Sequence, residues 1–354
     1  MKDIFITGLG NVSPQRTFDN SQFLDEVISV STNQLRCQDP NYKEFVPADM
    51  IRRMSRIIKF GVAAGKICLS DAGCEMPDAI ITGTGLGCIE DTEKFLSNMI
   101  SGKEEFLTPT SFIQSTHNTV SAQIALLLKC HNYNFTFVHR GLSFESALLN
   151  SILHIDSGQA NTVLLGAMDE LTRNTFLIQQ RLGLIRQKPV DNLQLLNDEL
   201  RGSIAGEGSA FFLLSSDPGK KNYGKIAGLD LFYNPTPAVI NSRLSKFLAD
   251  KGKSLDDIDL VICGMNGDMK NDKIYRELLE EMLPKTPAAV FKHLCGEYFT
   301  ASAFGLWLAA KIIRQQHMPE VVSLKPSPTG KFRNILFYNH SRNIEHTFIL
   351  VTQS

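Results

Sequence analysis

One tryptophan occurs in 354 residues, and the seven cysteines contain no CxxC pair. Cys37, Cys68, Cys74, Cys88, Cys130, Cys263 and Cys295 are odd in number and irregularly spaced. That speaks against a disulfide framework or a structural zinc site, and for buried or free thiols in a reducing cytoplasm. Neither sign of charge dominates: Lys+Arg 36 against Asp+Glu 37 leaves a net charge of -1, which removes the electrostatic case for nucleic acid. The eight histidines show no HExxH or HxH spacing, so no metal-ligating set is expected. Apolar runs such as Ile124 to Leu128 fall far short of the ~20 residues of a membrane helix. The opening MKDIFITGLG is charged and then strand-like, without the apolar stretch of a secretory leader. No GxxxxGK[ST] occurs. Gly83-x-Gly85-x-Gly87 has the spacing GxGxG, and Gly8-x-Gly10 has Ser13 where a third glycine would fall. No nucleotide or other cofactor is therefore expected, and these glycines read as positive-φ positions at strand ends.

What is present is the composition of a soluble globular chain, 43% hydrophobic and 21% charged. At ~150 residues per domain the length gives about two domains, or one duplicated one. β-rich runs at 4–7, 79–82, 135–138, 162–165, 210–214, 225–231, 260–263, 321–324, 335–338 and 347–351 alternate with helical periodicities at about 49–73, 118–129, 143–157, 269–282 and 299–316. This pattern predicts an α/β protein with largely buried sheets. The polar stretch Ser215-Ser216-Asp217-Pro218-Gly219-Lys220-Lys221 divides it into residues 1–217 and 218–354. Each half opens with strand, glycine-containing turn and helix, which hints at duplication.

Several segments, read together and in order, resemble the β-ketoacyl-ACP synthases, the thiolase-fold condensing enzymes. They are Ile6-Thr7-Gly8-Leu9-Gly10-x-x-Ser13-Pro14, Ile81-Thr82-Gly83-Thr84-Gly85-Leu86-Gly87, Thr108-Pro109-Thr110-x-Phe112-x-x-Ser115-x-x-Asn118, Gly158-x-Ala160-Asn161 with Gly166-Ala167-Met168-Asp169-Glu170, and Ala205-Gly206-Glu207-Gly208-Ser209-Ala210. The second half resembles the family less and is shorter than usual. The resemblance implies two βαβαβαββ halves stacked in five layers (αβαβα), and a dimer joined edge strand to edge strand.

The family's chemistry uses a Cys on a strand-to-helix elbow, where the helix N-terminus favours thiolate, and two His that stabilise developing enolate charge. Carried over position by position, these three places hold Gly141, Met265 and Glu297. Glycine cannot carry an acyl group, a thioether donates no hydrogen bond, and an ionised carboxylate repels an enolate. The family's glycine-rich C-terminal loop reads Tyr338-Asn339-His340-Ser341-Arg342-Asn343, without glycine. The resemblance is thus to the chain-length factors, silent homologues that pair with an active ketosynthase and close the floor of its acyl tunnel. Those often carry Gln at the nucleophile position, from which Gly141 departs.

This implies a ketosynthase partner and an acyl carrier protein bearing the growing acyl or polyene chain, in a fatty-acid- or polyketide-type pathway such as that of aryl polyene or flexirubin-type pigments. Phe112, Thr116 and Thr119 match the tunnel wall. Phe135, Phe137 and Val138 lie in the strand that pairs across the dimer, and an apolar edge strand needs such cover. The following helix offers Leu142, Leu149, Ile152 and Leu153, either to the partner or to the chain's own core. Arg52, Arg56 and Lys59, at i, i+4 and i+7 of one helix, would dock an acidic carrier; a merely solvated helix face is the plainer reading. Two alternatives stand beside this one: an active enzyme using Ser143, against which Ser143 is an ordinary helix cap, and a stand-alone acyl-binding homodimer.

Overall fold

The structure is a computed structural model that describes residues 2–105, 107, 109–197, 200–328 and 330–354. In chain order the first half holds β1 (Phe5–Val12), β2 (Ser31–Thr32), α1 (Ala48–Ile51), α2 (Arg56–Ala72), β3 (Ala79–Gly83), α3 (Ile89–Ser101), α4 (Pro109–Gln114), α5 (Thr119–Leu128), β4 (Tyr133–Phe137), α6 (Ser143–Asp156), β5 (Thr162–Asp169), α7 (Arg173–Arg181), β6 (Val190–Asp191) and β7 (Gly208–Ser215). The second holds β8 (Lys225–Tyr233), α8 (Pro237–Ala249), β9 (Leu260–Cys263), α9 (Met269–Glu281), β10 (Ala288–Val290), α10 (Lys292–Cys295), α11 (Ser302–Gln315), β11 (Ser323–Lys325), β12 (Asn334–Ser341) and β13 (Glu345–Thr352).

The strands of the first half run β4-β3-β5-β7-β1. β3 lies parallel to β4 and β5, while β5–β7 and β7–β1 are antiparallel. The second half repeats this as β10-β9-β12-β13-β8, with the same directions. The duplication lies in strand order and polarity, and the two sheets meet where β1 touches β8 at Phe5–Lys225.

Alternation along each strand sorts its residues to opposite faces, and three apolar cores result. Ile80, Leu164 and Phe211 face α2 and α5; Ile81, Leu165 and Phe212 face a central layer. That layer is α6 and α11, with Phe144, Ala147, Leu148, Phe304, Trp307 and Leu308 packed between the sheets. On the far side Val261, Leu336 and Leu350 face α8 and α9 through Leu244, Phe247, Tyr275 and Leu278. The layering is therefore αβαβα, the expected thiolase-like architecture. Each fully buried large side chain contributes about 1.5–3 kcal/mol of transfer free energy. α6, anchored in this central core, is the helix that begins beside position 141.

The two halves differ at their outer edges. β11 pairs antiparallel with β10 and covers it. β4, its counterpart, ends its sheet uncovered.

Several expectations are corrected. The helix read across 49–73 is two helices: α1 ends at Ile51, Ser55 is extended, and Met54 turns into the outer core. Gly8 and Gly10 do not end a strand; β1 continues through them to Val12. Neither has positive φ, and a Cβ at Gly10 would overlap the Ala64 carbonyl. They let α2 lie close against β1, so close approach is their role. The strand read at 321–324 is a 3-10 turn over Glu320–Val322 followed by β11.

Candidate functional site

β4 leaves the sheet at Phe137, and the chain turns through Val138 and His139 into a 3-10 turn at Arg140–Leu142 before α6 begins. Arg140 has a left-handed backbone, φ 46°. This is the strand-to-helix elbow the sequence pointed to. Gly141 is buried, and its amide donates to Glu345 Oε2 at 3.1 Å. A Cβ at 141 would overlap Glu345 Oε2 and Ser341 Cβ, with Ser341 Oγ 2.7 Å away. Position 141 lacks a side chain, and the space for one is filled from the β12–β13 hairpin.

Met265 follows β9 and is 1% exposed, packed in the outer core with Tyr275 and Tyr338. Glu297 follows α10 at Gly296, whose φ is 77°. Its carboxylate takes two hydrogen bonds from Lys292 Nζ, at 3.1 and 2.9 Å, and one from Asn266 Nδ2 at 2.6 Å. Lys292 is buried, so Glu297 is the counter-ion of a lysine that would otherwise be a bare charge. The Asn266 amide in turn donates to Asp272 at 2.8 Å. Of the three positions the sequence assigned to one centre, Glu297 meets Asn266, the residue after Met265, while Gly141 meets Glu345 and Ser341 of the β12–β13 hairpin. Glu145 lies one turn into α6, fully buried; burial pushes its carboxyl up to about 7, and the nearby Glu345 adds to the rise. Lys292, Glu297, Asn266 and Asp272 thus bond one another, whereas both carboxyl oxygens of Glu145 are buried without a hydrogen-bond partner among the described residues.

Ser143, the alternative nucleophile, is engaged in the turn. It is fully buried, accepts from the His139 amide at 2.8 Å and donates to the Arg140 carbonyl at 2.8 Å. Both bonds tie the turn together, as expected of a helix-start serine. Among the described residues no group of three or more His, Cys, Asp or Glu could hold a metal ion.

Val138, expected in β4, lies just past its end and is 47% exposed; on the strand itself Tyr133 and Phe135 are exposed, Phe135 at 46%, and Phe137 is half-buried. Their rings form a ladder, with Tyr133–Phe135 centroids 6.2 Å apart and Phe135–Phe137 4.9 Å. Leu149 and Leu153 of α6 and Leu126 of α5 are exposed, whereas Leu142 and Ile152 belong to the buried interior. Phe112, on α4, is 58% exposed and meets Phe95 at 5.5 Å. Thr116 is exposed and Thr119 buried, their hydroxyls 3.0 Å apart.

The basic stripe breaks apart. Arg52 caps α1, Arg56 opens α2, and Lys59 is half-buried, so the three do not share a helix face. Arg56 pairs with Glu207 and with Asp39, the latter at 3.0 Å. Glu207 is 1% exposed and also accepts from Arg36 and from the Cys37 and Leu171 amides. Arg56 is a structural counter-ion, Lys59 is half-buried, and Arg52 is exposed. The sequence reading missed Glu345; the missing glycines in 338–343 were the signal for a filled turn.

Residues 30–180 match the family profile described as "Beta-ketoacyl synthase, N-terminal domain". No curated protein matches the sequence. Among solved structures, the ishigamide ketosynthase/chain length factor superposes with a TM-score of 0.81 at 18% identity, covering 100% of this chain and 99% of the other. A beta-ketoacyl synthase from Burkholderia phymatum gives 0.78 at 16% identity, with 100% of each chain covered. A ketosynthase in complex with its chain length factor from Xenorhabdus doucetiae gives 0.77 at 15%, covering 100% of this chain and 98% of the other. The whole chain therefore has the fold of these ketosynthase structures, and its residues 30–180 match the β-ketoacyl synthase N-terminal profile.

Proposed function

We propose that this chain is a catalytically silent, chain-length-factor-like subunit that pairs with an active β-ketoacyl-ACP synthase and shapes its acyl tunnel. The observation that carries the reading is the filled elbow: Gly141 has no side chain, and Glu345 and Ser341 occupy the room for one. A fold built to hold a nucleophile there has kept its scaffold and closed its centre. The uncovered β4 supports the pairing. Its exposed Phe135, with Val138 just past the strand and Leu149 and Leu153 on α6, forms an apolar strip at a sheet edge, whereas β11 shields the equivalent edge of the second half. A stable partner buries about 800 Å² on each side, and this strip is a natural centre for such a patch.

In the complex the growing chain would come from an acyl carrier protein, with Phe112 and Thr116 reaching the tunnel from α4 and the turn after it. Thr119, being buried, would support that turn.

The test is production together with an active ketosynthase from the same source. A 1:1 complex is expected, losing condensation when the partner's cysteine is replaced. Phe112→Ala in this chain is expected to change product length while condensation persists. A chain that stays a stable homodimer in the partner's presence, or an unchanged product from Phe112→Ala, counts against the reading.

A further inference from the structure

The elbow differs from a centre that has merely lost its reactive group. Gly141 N–H stands at the turn feeding α6, a helix of 14 residues whose amide end favours negative charge. That amide is already bound: Glu345 Oε2 accepts from it at 3.1 Å. Glu345 opens β13 and pairs in register with Ser341, the last residue of β12, so one hairpin tip presents both side chains to position 141.

The tip is held firmly. Arg342 and Asn343 adopt left-handed backbones, φ 54° and 56°, a conformation that costs a non-glycine residue roughly 1 kcal/mol. His340 offsets this: its Nδ1 accepts from the Asn343 amide at 3.2 Å, its Nε2 lies 3.0 Å from the Asn271 carbonyl, and its ring stacks on Tyr275 at 4.5 Å.

We propose that the elbow is an anion site which the chain keeps occupied with its own carboxylate, Glu345 serving as an internal ligand where a small carboxylate or an acyl oxyanion would otherwise bind. Two barriers, then, keep this subunit silent: the missing thiol and the plug. A thiol at 141 alone stays protonated and covered, because a neighbouring carboxylate disfavours thiolate. The inference rests on the elbow geometry and stands apart from the partner assignment.

The experiment uses the full-length chain in two arms. In the first, Glu345→Ala is melted with and without sodium acetate, against sodium chloride of equal strength. Its midpoint is expected about 3–6 °C below that of the unaltered chain. Acetate raises it in a concentration-dependent way and leaves the unaltered chain unmoved. In the second, iodoacetamide labelling at residue 141 is read by peptide mass. Gly141→Cys combined with Ser341→Gly and Glu345→Gly is expected to label at least roughly tenfold faster than Gly141→Cys alone. Equal labelling of the two, or acetate moving Glu345→Ala no more than the unaltered chain, overturns the proposal; the first arm needs no substitution at 141.

Discussion

At position 297 a carboxylate stands where the family's chemistry asks for a hydrogen-bond donor, and Lys292 explains what it does there. The lysine is 2% exposed, and Glu297 is its counter-ion. Glu297→Ala should lower the unfolding free energy by about 2–4 kcal/mol in urea titration, because it strands a buried ammonium. A loss below ~0.5 kcal/mol would show that the pair matters little. Two other carboxyls make stability depend on pH. Burial lifts Glu145 to about 7 and Glu170 to about 8, the latter helped by Glu90 and Asp91. A carboxyl whose folded value lies above its unfolded one keeps its proton more tightly in the folded chain, so stability falls as pH rises through that range. Buried His293 and His346, held down near 4, act in the opposite sense, but only below about 6.5. Between pH 6.5 and 8 the acids act alone, and unfolding free energy should drop by about 2 kcal/mol. Glu170→Gln should flatten that slope; a slope unchanged by it would contradict the assignment. Local motifs let the sequence assign places to Gly141, Met265 and Glu297. Glu345 was not assigned one, because it lies more than 200 residues from the amide it binds, and no local pattern encodes that contact.

Elements with a strong apolar period were the readable ones. α6, α9 and α11 emerge from spacing alone, and so do the strands that alternate between two cores. α3 and α7 bury only Asp91 and Phe176 respectively; Phe95, Leu96, Met99 and Ile100 of α3 follow helical spacing but were not read as a helix. α8 was missed although Ile240, Leu244, Phe247 and Leu248 follow helical spacing after Pro237, a pattern that would have revealed it. β10 is three residues long, and its strand character comes from neighbours on both sides. For the edge, Phe135→Asp on β4 should abolish association with the partner while moving the thermal midpoint of the free chain little, since Phe135 is 46% exposed. Leu165→Ala, in the central core, should instead cost about 2–5 kcal/mol of stability. A Phe135→Asp chain that still binds its partner as tightly would place the interface elsewhere.

Over the whole molecule, a duplicated scaffold is covered at one outer edge and open at the other, and the centre beside the open edge is filled. Among the described residues no helix is long and apolar enough to cross a membrane. The sharpest test of the account is intact-mass measurement of both subunits after the purified complex meets an acyl-carrier thioester. One acyl adduct on the partner's cysteine, and none on this chain, is the predicted result. An acyl adduct on this chain, above all one surviving in a complex whose partner cysteine has been replaced, would contradict it.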